Sequence, residues 1–308
     1  MQPAVRHRVR DHRLALHLHT TSAVRRSSRA LSLVAAMGVG CVPAIGSPTA
    51  PAATTATSGP PPSASASGPA RRAYASGTVP HEAAFVDLPV PGYEAAVVSL
   101  PRDADGKRPL LVAAHGAWDR PEPHCQLWRR VTAAQGFVLC PRGRRTNRYT
   151  PPEHAAYFYP DHFALAREVL AAIDALAERY PERLDRSAAV WAGFSQGAIH
   201  GALVIALHPA QFPRAALVEG GNGFFNEWSP FAARKYAGGG GDRVLFACGS
   251  VYCVRTAQRC ADYLHATQVQ TLVAHAPGAG HSYGSLMERQ LREHFAWLTA
   301  GDPRWVQE

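Results

Sequence analysis

The sequence predicts an α/β domain, a mostly parallel sheet of about eight strands with helices on both faces. Three observations carry that expectation. After residue 80, apolar runs of strand length alternate with segments of helical periodicity. Several runs, such as Leu110-Leu111-Val112-Ala113-Ala114 and Phe137-Val138-Leu139-Cys140, are continuously apolar, as strands covered on both faces are. A third run, Val190-Trp191-Ala192, breaks at Gly193-Phe194-Ser195-Gln196-Gly197 and resumes as a helix of small residues, a strand–turn–helix junction.

The elements follow in order. Residues 85–88 and 94–100 read as an opening antiparallel pair joined through Pro91-Gly92. Residues 109–115 form a buried strand, a short helix follows over 125–134, and 136–141 is the next strand, stopped by Pro141. Residues 142–160 carry arginines, Pro151-Pro152, Tyr149, Tyr157, Phe158 and Tyr159 without periodicity, and read as a long loop at the end of the sheet where Ser195 lies. Asp161 is placed to cap a helix to Tyr180, with Leu165, Val169, Ile173 and Leu176 on one face and Pro181 beyond its end. Strand 187–194 enters the turn at Ser195 and helix 196–207 leaves it. Strand 214–219, strand 243–249 with helix 255–267, and strand 269–275 with helix 282–299 complete one domain over residues 81–308.

Of the formal charge of +9, all but +1 belongs to what precedes that domain. Through residue 80 there are nine arginines and one acid, Asp11; the remainder holds 23 basic and 22 acidic residues. The folded part therefore gives no charge argument for nucleic acid. Residues 1–46 read as an export signal, because Arg25-Arg26-Ser27-Ser28-Arg29 precedes an apolar run too short and glycine-rich to span a bilayer. The twin arginines permit a Tat route and a Sec route stays open. Cys41 is a possible lipid-anchor position, but Gly38-Val39-Gly40 before it lacks the large aliphatic residue such signals use. Residues 47–80, rich in Ser, Pro, Thr, Ala and Gly, have almost nothing to bury and read as a disordered tether.

The chemistry converges on Ser195. Glycines on either side of a Gly-x-Ser-x-Gly turn let neighbouring backbone approach closely, so the serine projects from the sheet edge and the N–H of Gln196 points toward where an oxyanion would form. A general base for that serine should come from a loop at the carboxyl edge of a later strand. His281, in Gly278-Ala279-Gly280-His281-Ser282-Tyr283-Gly284 just past the last strand, is so placed.

With these residues the chain resembles the α/β-hydrolase superfamily over about residues 84–298. Gly193-Phe194-Ser195-Gln196-Gly197 is similar to the nucleophile turn of its carboxylesterase and acyl-protein thioesterase branch, and His115-Gly116-Ala117-Trp118-Asp119 looks like that branch's His-Gly-x-x-Asp turn. The resemblance implies a single α/β-hydrolase domain and makes the Ala117 N–H the second oxyanion donor beside Gln196. The chain departs from the pattern at the acid. The loop that usually carries an aspartate reads Cys248-Gly249-Ser250-Val251-Tyr252-Cys253 and has no carboxylate. Glu219, at a strand end before Gly220-Gly221, is the expected acid, since a carboxylate buried there needs a partner; Asp262 is the alternative.

Cys125 with Cys140, and Cys248 with Cys253, are candidate disulfides of an oxidising compartment, the other reading being buried strand cysteines with nothing bonded. Cys260 is left free or competes for Cys253. Trp118 and Phe224 are candidate substrate-binding aromatics, together with those of the loop Tyr149 to Tyr159, Phe225 and Trp228, the other reading of such loop aromatics being packing. No zinc spacing, EF-type loop or phosphate-binding glycine motif occurs, so neither metal nor nucleotide cofactor is expected. The expected function is an exported serine hydrolase cleaving a small-molecule carboxylic ester through an acyl-serine. A serine peptidase using the same residues and a non-catalytic binding protein on the same fold are the alternatives.

Overall fold

The computed structural model describes residues 84–103, 105–223 and 225–305, all within one compact unit. The expectations for the export signal, Cys41, the tether and Phe224 lie outside the described residues. Strands β1 (Phe85–Leu88), β2 (Ala96–Ser99), β3 (Arg108–Ala114), β4 (Phe137–Cys140), β7 (Leu184–Phe194), β8 (Arg214–Val218), β9 (Arg243–Cys248) and β10 (Gln270–His275) form one sheet in the order β1-β2-β4-β3-β7-β8-β9-β10. β1 and β2 run antiparallel, β2 is antiparallel to β4, and every later pairing is parallel.

Helices cover both faces, as continuously apolar strands require. On one side α2 (His162–Arg179), α3 (Gln196–Leu207), α4 (Pro230–Gly238) and α5 (Val251–His265) pack in a core that includes Trp191, Phe212 and Phe246. On the other, α1 (Pro121–Val131) and α6 (Ser285–Thr299) pack around Trp128, Met287 and Phe295. α3 is apolar nearly all round because it touches the sheet, α2 and α4 at once. Asp161 caps α2 as expected, its side chain accepting from the Ala164 N–H at 2.7 Å.

The structure departs from the sequence expectations at a few places. Residues 142–160 are not structureless: β5 (Arg144–Arg145) and β6 (Tyr157–Phe158) form a short hairpin. α1 begins at Pro121, where the fixed φ of proline suits a first helical position. α4 was not expected; only Ala233 and Tyr236 are buried on it, too little to show a periodicity. α5 starts at Val251 rather than 255, so only Gly249 and Ser250 separate it from β9. Ser250 supplies the reason, its hydroxyl capping the Cys253 N–H at 3.2 Å.

Candidate active site

The turn between β7 and α3 is held by close approaches only glycine permits. A Cβ on Gly193 would collide with the Gly197 carbonyl, and one on Gly197 with the carbonyls of Ala114 and His115. The second contact brings the segment after β3 against the start of α3. Ser195 between them adopts φ 49°, ψ −115°, a conformation that costs a non-glycine residue roughly 1–3 kcal/mol. Its N–H is held by the Val218 carbonyl at 2.9 Å, and its side chain is left at the carboxyl edge of the sheet.

Ser195, His281 and Glu219 come together there. His281 Nε2 lies 2.9 Å from Ser195 Oγ, and His281 Nδ1 lies 3.2 Å from Glu219 Oε2. With the carboxylate facing Nδ1, that nitrogen carries the proton and Nε2 is free to accept from the serine hydroxyl. Glu219 leaves β8 at φ 50°, its N–H donating to the Ala247 carbonyl at 3.0 Å. A Cβ on Gly220 would stand 2.5 Å from the Ser195 carbonyl, which is why glycine follows the acid. Only 7% of the Glu219 side chain is exposed, against 58% for His281. Asp262, the alternative acid, is exposed on α5 with its carboxylate accepting from Gln258, and is not a partner of His281.

The loop that lacks an aspartate serves the glutamate instead. Cys248 and Cys253 are disulfide-bonded, and so are Cys125 and Cys140, while Cys260 is a free, buried thiol whose pKa burial pushes up to about 12. Inside the Cys248–Cys253 ring, the Gly249 N–H donates to Glu219 Oε1. A Cβ on Gly249 would collide with Gly280, the residue before His281. One glycine therefore touches both the acid and the histidine loop. The Glu219 carboxylate and the two sulfurs lie within 4.8 Å of one another, but the sulfurs are bonded to each other and offer no thiolate to a metal.

Opposite them stands the turn after β3. Gly116 is in contact distance of Ser195, a Cβ there falling 3.3 Å from the serine Cβ, and Ala117 follows, exposed. His115 is fully buried, with Nδ1 2.7 Å from the Gly116 carbonyl and Nε2 2.8 Å from the Arg142 carbonyl. Burial outweighs both carbonyls and brings its pKa down to about 4, so at neutral pH the uncharged ring donates to one of the two. The Gln196 side chain is fixed by accepting from the Tyr159 N–H at 2.8 Å. Trp118 is at φ 63° with its N–H on the Tyr157 carbonyl at 2.8 Å and its side chain 75% exposed. Trp228, by contrast, is buried and donates to the Gly221 carbonyl at 3.0 Å, a packing role.

Residues not foreseen from sequence tie this turn to the histidine loop. Tyr283, two residues after His281, packs edge-on to Phe194 and lies 4.3 Å, centroid to centroid, from buried His124. Its hydroxyl donates to Asp119 Oδ1 at 3.4 Å, and His124 Nε2 is 3.1 Å from Asp119 Oδ2. Burial opposes ionisation of Asp119, but His124 and the Arg120 N–H outweigh it and hold its pKa down. Burial beside that carboxylate raises the Tyr283 pKa, so its hydroxyl stays a donor. The Asp119 position in the His-Gly-x-x-Asp turn was the one local signal of this contact.

No family model and no curated protein matches the chain. Solved structures do. TT1662 from Thermus thermophilus superposes with a TM-score of 0.51 at 18% identity, over 73% of this chain and 98% of its own. The fluorophosphonate-binding serine hydrolase FphF of Staphylococcus aureus does so with 0.51 at 14% identity, over 70% and 96%. The chain has the α/β-hydrolase fold. In that fold the sheet order puts β7, which carries Ser195, at the centre, with the turn after β3 on one side and Glu219 after β8 on the other. An α/β-hydrolase sheet of this order thus delivers the three groups from successive neighbouring strand ends and from the loop after β10.

Proposed function

We propose that the protein is an exported serine hydrolase that cleaves a carboxylic ester through an acyl intermediate on Ser195. The observation that carries this is the chain of contacts from Ser195 Oγ through His281 to Glu219, built on a serine whose backbone is strained at a glycine-flanked turn. His281 Nε2 takes the hydroxyl proton as Oγ attacks the ester carbonyl. Glu219 holds the ring in the tautomer that can accept that proton and stabilises the imidazolium. The N–H groups of Ala117 and Gln196 receive the oxyanion. His281 returns the proton to the departing alcohol, then activates the water that releases the acid. The similar S. aureus fold belongs to a fluorophosphonate-binding serine hydrolase, which fits the same chemistry.

Export rests on the arginine-flanked apolar run before residue 46 and agrees with two disulfides in the folded part. On this reading residues 1–46 direct export, 47–80 link, and 81–308 catalyse. The test is turnover of p-nitrophenyl acetate against the matching anilide. Ester turnover that Ser195→Ala abolishes is expected, with the anilide far slower. Comparable anilide turnover would favour a peptidase, and no turnover of either would remove the enzyme reading.

A further inference from the structure

Between the turn before β2, the segment after β4 and the start of α2 lies a groove of about 910 Å³ whose walls carry Arg144, Arg145, Arg148 and Arg167 against Glu94 and Glu168. Two acids offset only part of the charge of four arginines. Glu94 is paired with Arg145 at 2.9 Å. Glu168 is buried, with its Oε1 accepting from the Gly143 N–H at 2.8 Å. Arg144, Arg148 and Arg167 are exposed and form no ion pair among the described residues. Arg148 is braced instead on Tyr149, 4.8 Å above its ring, and donates to its hydroxyl at 2.6 Å. Four guanidinium groups against two carboxylates line one groove, with Arg144 in the field of Glu168 and Arg167 in that of Asp161, although the chain after residue 80 is nearly neutral. Like charges so gathered repel, and a bound anion relieves the repulsion. Guanidinium also matches the forked geometry of carboxylate and phosphate oxygens.

The groove shares an edge with Ser195. β2 is antiparallel, so the turn before it, the segment after β4 and the start of α2 all meet at the carboxyl edge of the parallel strands, where ligands bind in open α/β sheets. β4 stands two strands from β7, about 10 Å at the usual strand spacing. One hydrogen bond links their surroundings: Tyr159, next to the groove residue Pro160, donates its N–H to the side chain of Gln196, next to Ser195. The reacting histidine is itself open to solvent, so a substrate can extend along this edge.

We propose that the groove binds an anionic group, a carboxylate or a phosphate, of the ester on which Ser195 acts. This substrate class rests on the hydrolase reading above. The substrate then carries negative charge on the order of 10 Å from the scissile carbonyl, and Arg144 and Arg167 select it.

Calorimetric titration of the full chain with trigalacturonate and with tripolyphosphate, with maltotriose as the neutral probe, tests binding without turnover. One of the two anions is expected to bind, more weakly as salt rises, and the one that binds names the source of charge. Arg144→Ala with Arg167→Ala should weaken it by about tenfold or more, whereas Arg292→Ala, on exposed α6, should not. The ratio of kcat/KM on the acetate ester of an alcohol that carries that anionic group to kcat/KM on p-nitrophenyl acetate should fall by a similar factor in the double variant. Binding of neither anion, equal weakening by Arg292→Ala, or an unchanged ratio would overturn the proposal. Anion binding without any ester turnover would instead strike the hydrolase reading, which separates the two.

Discussion

Ser195 and Glu219 both stand at positive φ, 49° and 50°, at the ends of adjacent strands β7 and β8. Each strained residue is pinned by a backbone hydrogen bond to the next strand over, Ser195 to Val218 and Glu219 to Ala247, so the sheet bears the roughly 1–3 kcal/mol that such a conformation costs. The carboxylate matters for its charge and for its hold on His281. Glu219→Gln keeps the shape and loses both, and kcat on p-nitrophenyl acetate should drop roughly a thousandfold with KM little moved. Turnover within a few-fold of wild type would show that Glu219 is not the group His281 depends on. Ser195, His281 and Glu219 were legible in the sequence because each sits where a strand ends, and strand ends are marked by apolar runs meeting glycine. Tyr283, His124 and Gly249 were not. Tyr283 reaches Asp119 across 164 residues of chain and Gly249 acts through its backbone N–H, and neither leaves a local pattern.

At the scale of elements, the disulfide ring after β9 touches two parts of the candidate site. It occupies the loop where the resembled family places its acid, and it presents Gly249 to Glu219 on one side and to the His281 loop on the other. Cys248→Ser with Cys253→Ser should therefore lower kcat by about tenfold, since small displacements of catalytic groups are expensive. In the Glu219→Gln background the same pair should add little. An equal loss in both backgrounds, read with the melting temperature, would assign the ring to general stability. The elements that escaped sequence reading are short or lightly buried. α4 buries two side chains, and β5 and β6 have two residues each; a hydrophobic period needs more length to declare itself. The start signal of α4, Ser229-Pro230, was nonetheless present.

For the whole molecule, the fold followed from alternation of buried strands and amphipathic helices, which admits few topologies. The order of the sheet, with β4 outside β3 and β8 to β10 filling the other side, could not be read from any one segment. Buried His115 links the ends of β3 and β4. Its folded pKa of about 4 lies below the ordinary 6.5, so the unfolded chain takes up this proton first as pH falls. The stabilisation is complete above about pH 6.5 and is lost between there and pH 4, about 3 kcal/mol in all. Urea midpoints at pH 7 and pH 4.5 should fall further for wild type than for His115→Gln; parallel losses would contradict a buried neutral imidazole.

The claim on which the rest depends is that Ser195 is a nucleophile activated by His281. Intact-mass measurement after treatment with a fluorophosphonate probe addresses it directly. A single stoichiometric adduct that peptide mapping places on Ser195, absent in Ser195→Ala and slowed by orders of magnitude in His281→Ala, is expected. An unlabelled wild-type protein, or an adduct on another residue, would contradict it.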